Sequence, residues 1–213
     1  RLPYIDNVFV YGGYEGSMVA PGVYSARIKV NDSFSETNFE ILSDPKNKFS
    51  KEDYDNQQEI LRKIDAKIKE IHIAVNSMRS VQKQLNFYID VLEKQINLED
   101  EENTYKKTIS LAKNIEVKLK NWEKKLIQPK QKTFQDVINF NNKLNAEYIN
   151  LKDYIDSSEP EVTSGAKDLF NDLNIRSDAI MEEINQIISE DFKSFDKQYK
   201  SLELETLLIP IEN

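Results

Sequence analysis

The fold of this chain is decided by "EILRKIDAKIKEIHIAVNSM", residues 59–78. Its apolar side chains recur every three or four positions, the spacing that places them along one face of an α-helix. The pattern extends beyond this stretch, and the whole apolar stripe consists of Ile60, Ile64, Ile68, Ile71, Val75, Met78, Val81, Leu85, Tyr88, Leu92 and Ile96. We therefore predict one helix over residues 51–97, roughly 70 Å long at 1.5 Å per residue, with Ser50 and Asp53 as its capping pair.

Three more helical stripes follow, after a chain reversal expected at residues 98–103. The second helix ends before Pro129, the third is broken by "SSEPE" (residues 157–161), and Thr163 can cap the last. Their stripes are Tyr105, Ile109, Ala112, Ile115, Leu119, Trp122 and Leu126; then Val137, Phe140, Leu144, Tyr148, Leu151 and Ile155; and finally Ala166, Phe170, Leu173, Ile180, Ile184, Ile187, Phe195, Tyr199 and Leu202. Four helices with short connections pack as an antiparallel bundle.

Charge is distributed unevenly over the later helices. Residues 104–132 carry nine Lys against two Glu, a net charge of +7, whereas residues 133–213 carry seven basic against seventeen acidic residues, a net charge of −10. One interpretation is that the charged side chains of both segments simply face the solvent. Exposed ion pairs contribute only about 0–1 kcal/mol each, so the opposite charges need not bring the two segments together. The other is that the basic second helix lies beside the acidic last helix.

The first 45 residues favour β-strands instead. "VYSARIKV" (residues 23–30) alternates between two faces, Asn31 and Asp32 suit a tight turn, and "FSETNFEIL" (residues 34–42) returns as the second strand. "NVFVY" (residues 7–11) is consistent with a third strand. Three strands do not close a sandwich, so this part must pack on something else or pair with strands outside this chain.

We therefore predict a mainly α fold, in which an elongated antiparallel helical bundle (residues 46–213) follows a small, partial antiparallel β-sandwich segment (residues 1–45). The lack of Gly and Pro from residue 46 to residue 128 agrees with this division, because β domains rich in turns rarely produce such a stretch.

Composition excludes several classes of function. The chain has no Cys among its 213 residues, which rules out disulfides and thiolate metal sites. A net charge of −8 argues against general nucleic-acid binding, because phosphate contacts require concentrated Lys and Arg. No run of about 18 apolar residues is present, so we expect no membrane span, and no signal-peptide pattern is recognisable.

The β-strand region also carries a resemblance to a known family. "APGVYSARIKV" (residues 20–30), "FSETNFEIL" and "SDPK" (residues 43–46) resemble the C-terminal part of bacterial sortilin-like or BNR-repeat β-propeller proteins, which are often labelled glycosyl hydrolases. The matching positions are Pro21, Gly22, Tyr24, Asp44 and Pro45. Two later segments, "NFNNKLNAEY" (residues 139–148) and "PEVTSGAKDLF" (residues 160–170), are similar to that family's helical region, although the basic residue usual before the Pro is absent.

The resemblance implies that this chain is a C-terminal fragment that follows a propeller and a small β-sandwich in a secreted, periplasmic or cell-surface protein. It also implies that any glycan-directed chemistry would lie in the propeller. No Asp-box of the Ser-x-Asp-x-Gly-x-x-Trp type occurs in this sequence, and no catalytic residue is carried over.

No residue pattern predicts a catalytic, cofactor or metal site. His72 is the only histidine, and among its polar neighbours in sequence only Asn76 would share its helix face. Asp100, Glu101 and Glu102 lack the spacing and the glycine of a calcium loop. The glycine-rich residues 12–16 lack the Lys-Ser/Thr ending of a phosphate loop.

Four aromatic residues near the start of the chain form a possible interaction surface: Phe9, Tyr11, Tyr14 and Tyr24. Such rings could stack on sugars. They could also belong to the core of a sandwich or to the surface that meets the propeller. The sequence favours these last two interpretations over sugar binding.

These observations lead to the prediction of a noncatalytic C-terminal structural or interaction module of a larger cell-surface or secreted β-propeller protein. Its partner would be the upstream propeller or another surface protein. One alternative is an accessory part of a glycan- or peptide-processing hydrolase whose active site lies in the propeller. Another is a self-assembling coiled-coil protein.

Overall fold

The structure is a computed structural model that describes residues 5–10, 12–46, 48–95, 102–157 and 159–204. It confirms the predicted fold class, because a two-stranded antiparallel sheet precedes a set of packed helices. The elements are β1 (Gly22–Val30), β2 (Ser33–Ile41), α1 (Lys51–Gln95), α2 (Glu102–Leu126), α3 (Leu144–Ile155), α4 (Ser164–Gln186) and α5 (Lys193–Lys200). A 3₁₀ turn (Phe134–Ile138) precedes α3, and a π-helical segment (Ile187–Phe192) joins α4 to α5.

Helix α1 begins as its sequence predicts. The Ser50 hydroxyl accepts a hydrogen bond from the Asp53 N–H (3.2 Å), and the Asp53 carboxylate accepts one from the Ser50 N–H (2.8 Å). The Ser50 hydroxyl also donates a hydrogen bond to the Asp53 carboxylate (2.7 Å), and this bond, followed by the one from the Ser50 N–H, holds the pKa of Asp53 below its usual value. Residues 96–101, which include the last position of the predicted stripe and most of the predicted reversal, lie outside the described residues.

The four predicted helices are arranged as three antiparallel columns, because α2 and α3 follow one another along α1. Ion pairs show this order. Arg79–Glu123 (2.7 Å) and Glu93–Lys113 (2.8 Å) place α2 beside the second half of α1. Asp65–Lys152 (2.9 Å) places α3 beside the first half. The two pairs with α2 show that it runs opposite to α1, and the Asp65–Lys152 pair together with the contact between His72 and Asn145 (2.8 Å) shows the same for α3. The length of α1, 45 residues, is what allows two helices to pack against it in sequence.

The third column consists of α4, the π-helical segment and α5, and it lies beside α2. Trp122 is wholly buried, and its indole N–H donates a hydrogen bond to the Ile180 carbonyl (2.9 Å). Two ion pairs join the same surfaces, Lys118–Asp191 (2.7 Å) and Lys125–Glu183 (2.5 Å). Of the two interpretations of the charge pattern, the structure shows the second, because the basic helix α2 lies beside the acidic third column, and the lysines of these pairs remain partly exposed.

The connector between α2 and α3 differs from the sequence prediction. Val137 belongs to the 3₁₀ turn and Phe140 follows it, so neither residue lies in α3. Buried Gln131 donates a hydrogen bond to the Phe140 carbonyl (2.7 Å), and Gln128 donates one to the Asn141 carbonyl (3.0 Å). These contacts hold the segment in a compact non-helical path. The spacing of apolar residues at every third or fourth position does not reveal such contacts.

The predicted hairpin is present, and its strands pair in register from Gly22↔Ile41 to Val30↔Ser33. Asn31 at the turn has a φ of 53°, in the left-handed region that Asn tolerates. The possible third strand over residues 7–11 is not formed at residues 8–10, and residue 11 lies outside the described part. Val10 is buried in the core of the helices instead, as is Ile5.

Residues 5–10 and 12–20, which we call the anchoring segment, run along α1 and α3 towards the hairpin. The Arg79 guanidinium donates a hydrogen bond to the Asp6 carbonyl (2.5 Å), and the Lys152 ammonium donates one to the Glu15 carbonyl (2.5 Å). A Cβ on Gly12 would lie 2.4 Å from Cγ2 of Ile149, so only glycine fits this approach. The anchoring segment thus shares the core with the helices, although it belongs to the predicted β part.

Candidate interaction surface

The hairpin has two chemically different faces. Residues paired directly across an antiparallel sheet point to the same side. One side, which we call the apolar face, consists of Tyr24, Ala26, Ile28, Val30, Phe39 and Ile41, with Ser33, Ser35 and Thr37. The opposite side, the polar face, consists of Ser25, Arg27, Lys29, Glu36, Asn38 and Glu40, with Val23 and Phe34.

The apolar face is open to solvent. Ile28 is 69% exposed, Val30 63% and Phe39 47%. Full burial of one such side chain is worth about 1.5–3 kcal/mol, so their exposure forgoes several kcal/mol of stabilisation. A contiguous exposed apolar surface of this kind marks an interaction site in soluble proteins.

The two strands also keep unpaired edges within the described part of the chain, because the sheet there contains β1 and β2 only. An unpaired edge presents a row of free N–H and C=O groups to any strand of suitable shape. An isolated two-stranded hairpin is marginally stable in water. The apolar face and the open edges together favour a partner that is itself a β-sheet.

The polar face is organised differently. The Arg27 guanidinium forms an ion pair with Glu36 across the strands (2.6 Å) and lies 5.1 Å from the centre of the Phe34 ring. Such cross-strand pairs suit a face that stays in water. The side of the sheet available for docking is therefore the apolar one.

Several contacts fix the hairpin to the end of the bundle where α3 finishes. The Asp156 carboxylate accepts hydrogen bonds from the Met18 N–H (3.0 and 3.2 Å), and Gln58 of α1 donates one to the Met18 carbonyl (2.8 Å). Burial raises the pKa of Asp156, and the Met18 N–H offsets part of that rise. Tyr24 then donates a hydrogen bond to the Ala20 carbonyl (2.5 Å) and stacks on Phe39, with ring centres 6.0 Å apart.

The four aromatic residues singled out in the sequence lie in different environments. Tyr24 belongs to the apolar face, whereas the ring of Tyr14 lies 5.6 Å from that of His72 in the bundle. Phe9 is half-buried in the anchoring segment, and Tyr11 lies outside the described residues. Sequence reasoning did not include Phe39 in this surface, because its position beside Tyr24 follows from the strand register.

His72 is wholly buried between α1 and α3. One of its ring nitrogens, Nε2, lies 2.8 Å from Oδ1 of Asn145, the second residue of α3. This partner lies 73 positions away in sequence, so the periodicity of α1 could not reveal it. The arrangement ties α3 and the anchoring segment to α1, and we assign it a structural role.

The remaining candidates do not converge. Asp100 and Glu101 lie outside the described residues, and Glu102 is the first residue of α2. In the part of the chain that the structure describes, no three His, Asp or Glu side chains are grouped closely enough to hold a metal ion. The N–H of Gly13 donates a hydrogen bond to the Asp153 carboxylate (3.2 Å), so this loop contacts a protein anion.

None of the helices over the described ranges is long and apolar enough to cross a membrane. Comparisons with protein-family models, curated proteins and solved structures found no match to this chain.

Proposed function

We propose that this chain is a noncatalytic structural or interaction module that docks onto a β-structured region of a larger secreted or cell-surface protein. The observation that carries the proposal is the solvent-exposed apolar face of the hairpin. In the proposed complex the apolar face packs on a second sheet, and one hairpin edge pairs with a strand of that sheet. The bundle then projects from the partner as a rod.

The anchoring segment supports this role mechanically. A flexible linker would leave the bundle free to reorient relative to its partner. Here the backbone at residues 15 and 18 is held by Lys152, Gln58 and Asp156, so the direction of the hairpin is tied to α1 and α3. A docked hairpin would consequently orient the whole bundle.

The resemblance to sortilin-like or BNR-repeat propeller proteins supplies a specific partner for the proposal. Pro21 and Gly22 stand at the start of β1, and Asp44 and Pro45 follow β2, in positions similar to those that flank a strand pair of the small β-sandwich in that family. On this proposal, the hairpin completes a sandwich that lies between a propeller and the bundle.

The proposal is tested in the full protein encoded by the open reading frame that carries this chain. Changing the apolar face, with Ile28→Asp and Phe39→Asp together, should undock the hairpin and increase proteolytic cleavage between residues 22 and 41 at least about tenfold, since local opening exposes the backbone to the protease. The matched control places the same changes on the polar face, with Val23→Asp and Phe34→Asp, which are 74% and 67% exposed.

The control pair alters one exposed apolar side chain on each of the same two strands, so it separates docking from a general effect on the hairpin. Equal cleavage of the two variants, whether at the rate of the unchanged protein or faster, would contradict the proposal. An upstream reading frame with no β-rich segment would contradict the assignment to propeller proteins.

A further inference from the structure

A second site lies where α2 ends, the connector bends and α3 begins. A cleft of about 410 Å³ opens there, and its lining contains Lys124, Lys130, Lys143, Asn139, Asn141 and Phe140. Three lysines thus line one small volume, together with three residues that carry side-chain amides, Gln128, Asn139 and Asn141. Two of these lysines, Lys124 and Lys130, belong to the basic stretch of residues 104–132, and Lys143 adds a third positive charge.

The positive charge of the cleft is not neutralised by neighbouring carboxylates. None of its three lysines forms an ion pair with a carboxylate of the described residues. The acidic residues closest in sequence have other partners: Glu123 pairs with Arg79, Glu147 pairs with Arg176, and Asp136 accepts hydrogen bonds from the N–H groups of Lys132 and Thr133.

The cleft has firm walls because the connector is internally bonded. Gln131 is wholly buried and donates hydrogen bonds to the Phe140 carbonyl (2.7 Å) and to Asn142 (3.2 Å). The Lys130 ammonium lies 5.6 Å from the centre of the Phe140 ring, which holds this charge at the wall of the cleft. Lys143 is the N-cap of α3, and no side chain caps that helix end, so the positive end of the helix dipole adds to the local potential.

We infer that this cleft binds a phosphate or sulfate group, carried either by a free ion or by an ester of a small polyol. Three cations and several N–H donors complement an oxyanion with multiple acceptor oxygens. The ring of Phe140 offers an apolar surface on which the carrier of an ester could rest. The site is separate from the hairpin and does not depend on the function proposed for it.

The test is a titration of the ¹⁵N-labelled chain followed by amide chemical shifts, at constant ionic strength. The probes are inorganic phosphate, inorganic sulfate, glucose 6-phosphate and glucose 6-sulfate, with glucose and chloride as blanks. We expect saturable shifts at residues 139–143 with the anionic probes and none with the blanks. Replacing the three lysines together (K124Q, K130Q and K143Q) should raise the dissociation constant at least about tenfold, since a charge-assisted hydrogen bond is worth about that factor.

A matched variant controls for net charge by changing three exposed lysines elsewhere (K167Q, K193Q and K197Q), and it should bind as the unchanged chain does. Tighter binding of either ester than of its inorganic ion assigns the site to an ester, and equal binding assigns it to the free ion. The inference is overturned if no probe gives saturable shifts at residues 139–143, or if the two triple variants bind equally well. Circular dichroism of each variant checks that it is folded.

Discussion

Gly12 packs tightly against α3. A Cβ at this position would lie 2.4 Å from Cγ2 of Ile149 and 3.0 Å from the carboxylate of Asp153. Since Ile149 is wholly buried on α3, the side chain has little room to move away. The segment must shift instead, and that shift would weaken its contact with α3.

We predict that Gly12→Ala lowers the free energy of unfolding by about 1–3 kcal/mol, the usual cost of forcing extra volume into a packed site. Gly16→Ala is the matched control, because a Cβ there meets no atom within 4 Å. Urea unfolding of both variants gives the measurement. If the two substitutions cost the same, the close packing of the segment at Gly12 is wrong.

Tyr148 gives the clearest pH dependence. Burial raises the pKa of Tyr148 from 10.0 to about 12. Because the folded pKa is the higher one, the native state retains this proton where the unfolded state has lost it. Between pH 10 and pH 12, loss of the proton therefore favours the unfolded state. The free energy of unfolding is unaffected by this group below pH 10 and falls as the pH rises from 10 to 12.

We therefore expect the unchanged chain to lose about 1–3 kcal/mol more stability between pH 10 and pH 12 than Tyr148→Phe does. The variant also lacks the hydrogen bond from the Tyr148 hydroxyl to Asn174 (2.8 Å), which lowers its stability by a similar amount at every pH. Urea unfolding at several alkaline pH values measures the two slopes. Parallel slopes would mean that the Tyr148 hydroxyl is not protected in the folded state.

At the residue scale, sequence reasoning recognises stripes but not buried polar contacts. It placed Trp122 and Leu119 on an apolar face, and both are wholly buried. Lys152, by contrast, is 2% exposed, and its ammonium contacts Asp65 and the Glu15 carbonyl, which lie far away in sequence. Nothing in the local pattern distinguishes this lysine from those that remain in water.

At the scale of elements, local patterns predicted the helices and the hairpin because each depends on residues a few positions apart. The anchoring segment could not be predicted in this way, because its backbone carbonyls accept hydrogen bonds from side chains of α1 and α3, which lie far away in sequence. The π-helical segment Ile187–Phe192 also escaped prediction, because the stripe of Ile184, Ile187 and Phe195 continues through it.

The pairing of α2 with the third column can be tested by a double-mutant cycle on Lys118 and Asp191. Their side chains are 43% and 21% exposed, so we expect a coupling energy of about 0.2–1 kcal/mol between Lys118→Gln and Asp191→Asn. This coupling energy should decrease in 1 M salt, because the Debye length there is only about 3 Å.

The control cycle for this pair combines Lys118→Gln with Glu190→Gln, a change at the neighbouring exposed carboxylate. That cycle should show no coupling. A coupling of the same size in both cycles would indicate a general effect of charge rather than a specific contact between α2 and the third column. Urea unfolding supplies all of the free energies.

At the scale of the whole molecule, a well-packed rod contrasts with a hairpin that buries almost nothing. In β1 and β2 only Gly22, Tyr24 and Ile41 are half-buried, whereas α1 has residues from Leu61 to Leu92 in the core. The alternation of "VYSARIKV" predicted one apolar side of the first strand. Only the pairing register with β2 shows that Phe39 and Ile41 lie on the same side of the sheet and enlarge this apolar side of the first strand into the apolar face.

The most direct test of the docking proposal is amide hydrogen exchange of β1 and β2, compared between this chain alone and the full protein encoded by the same reading frame. In the chain alone, we expect the hairpin to exchange rapidly and the amides near Ile64 in α1 to exchange slowly, because only the latter belong to a packed core. In the full protein, the hairpin amides should slow at least about tenfold while α1 is unchanged. Hairpin amides that exchange at the same rate in both proteins would contradict the account.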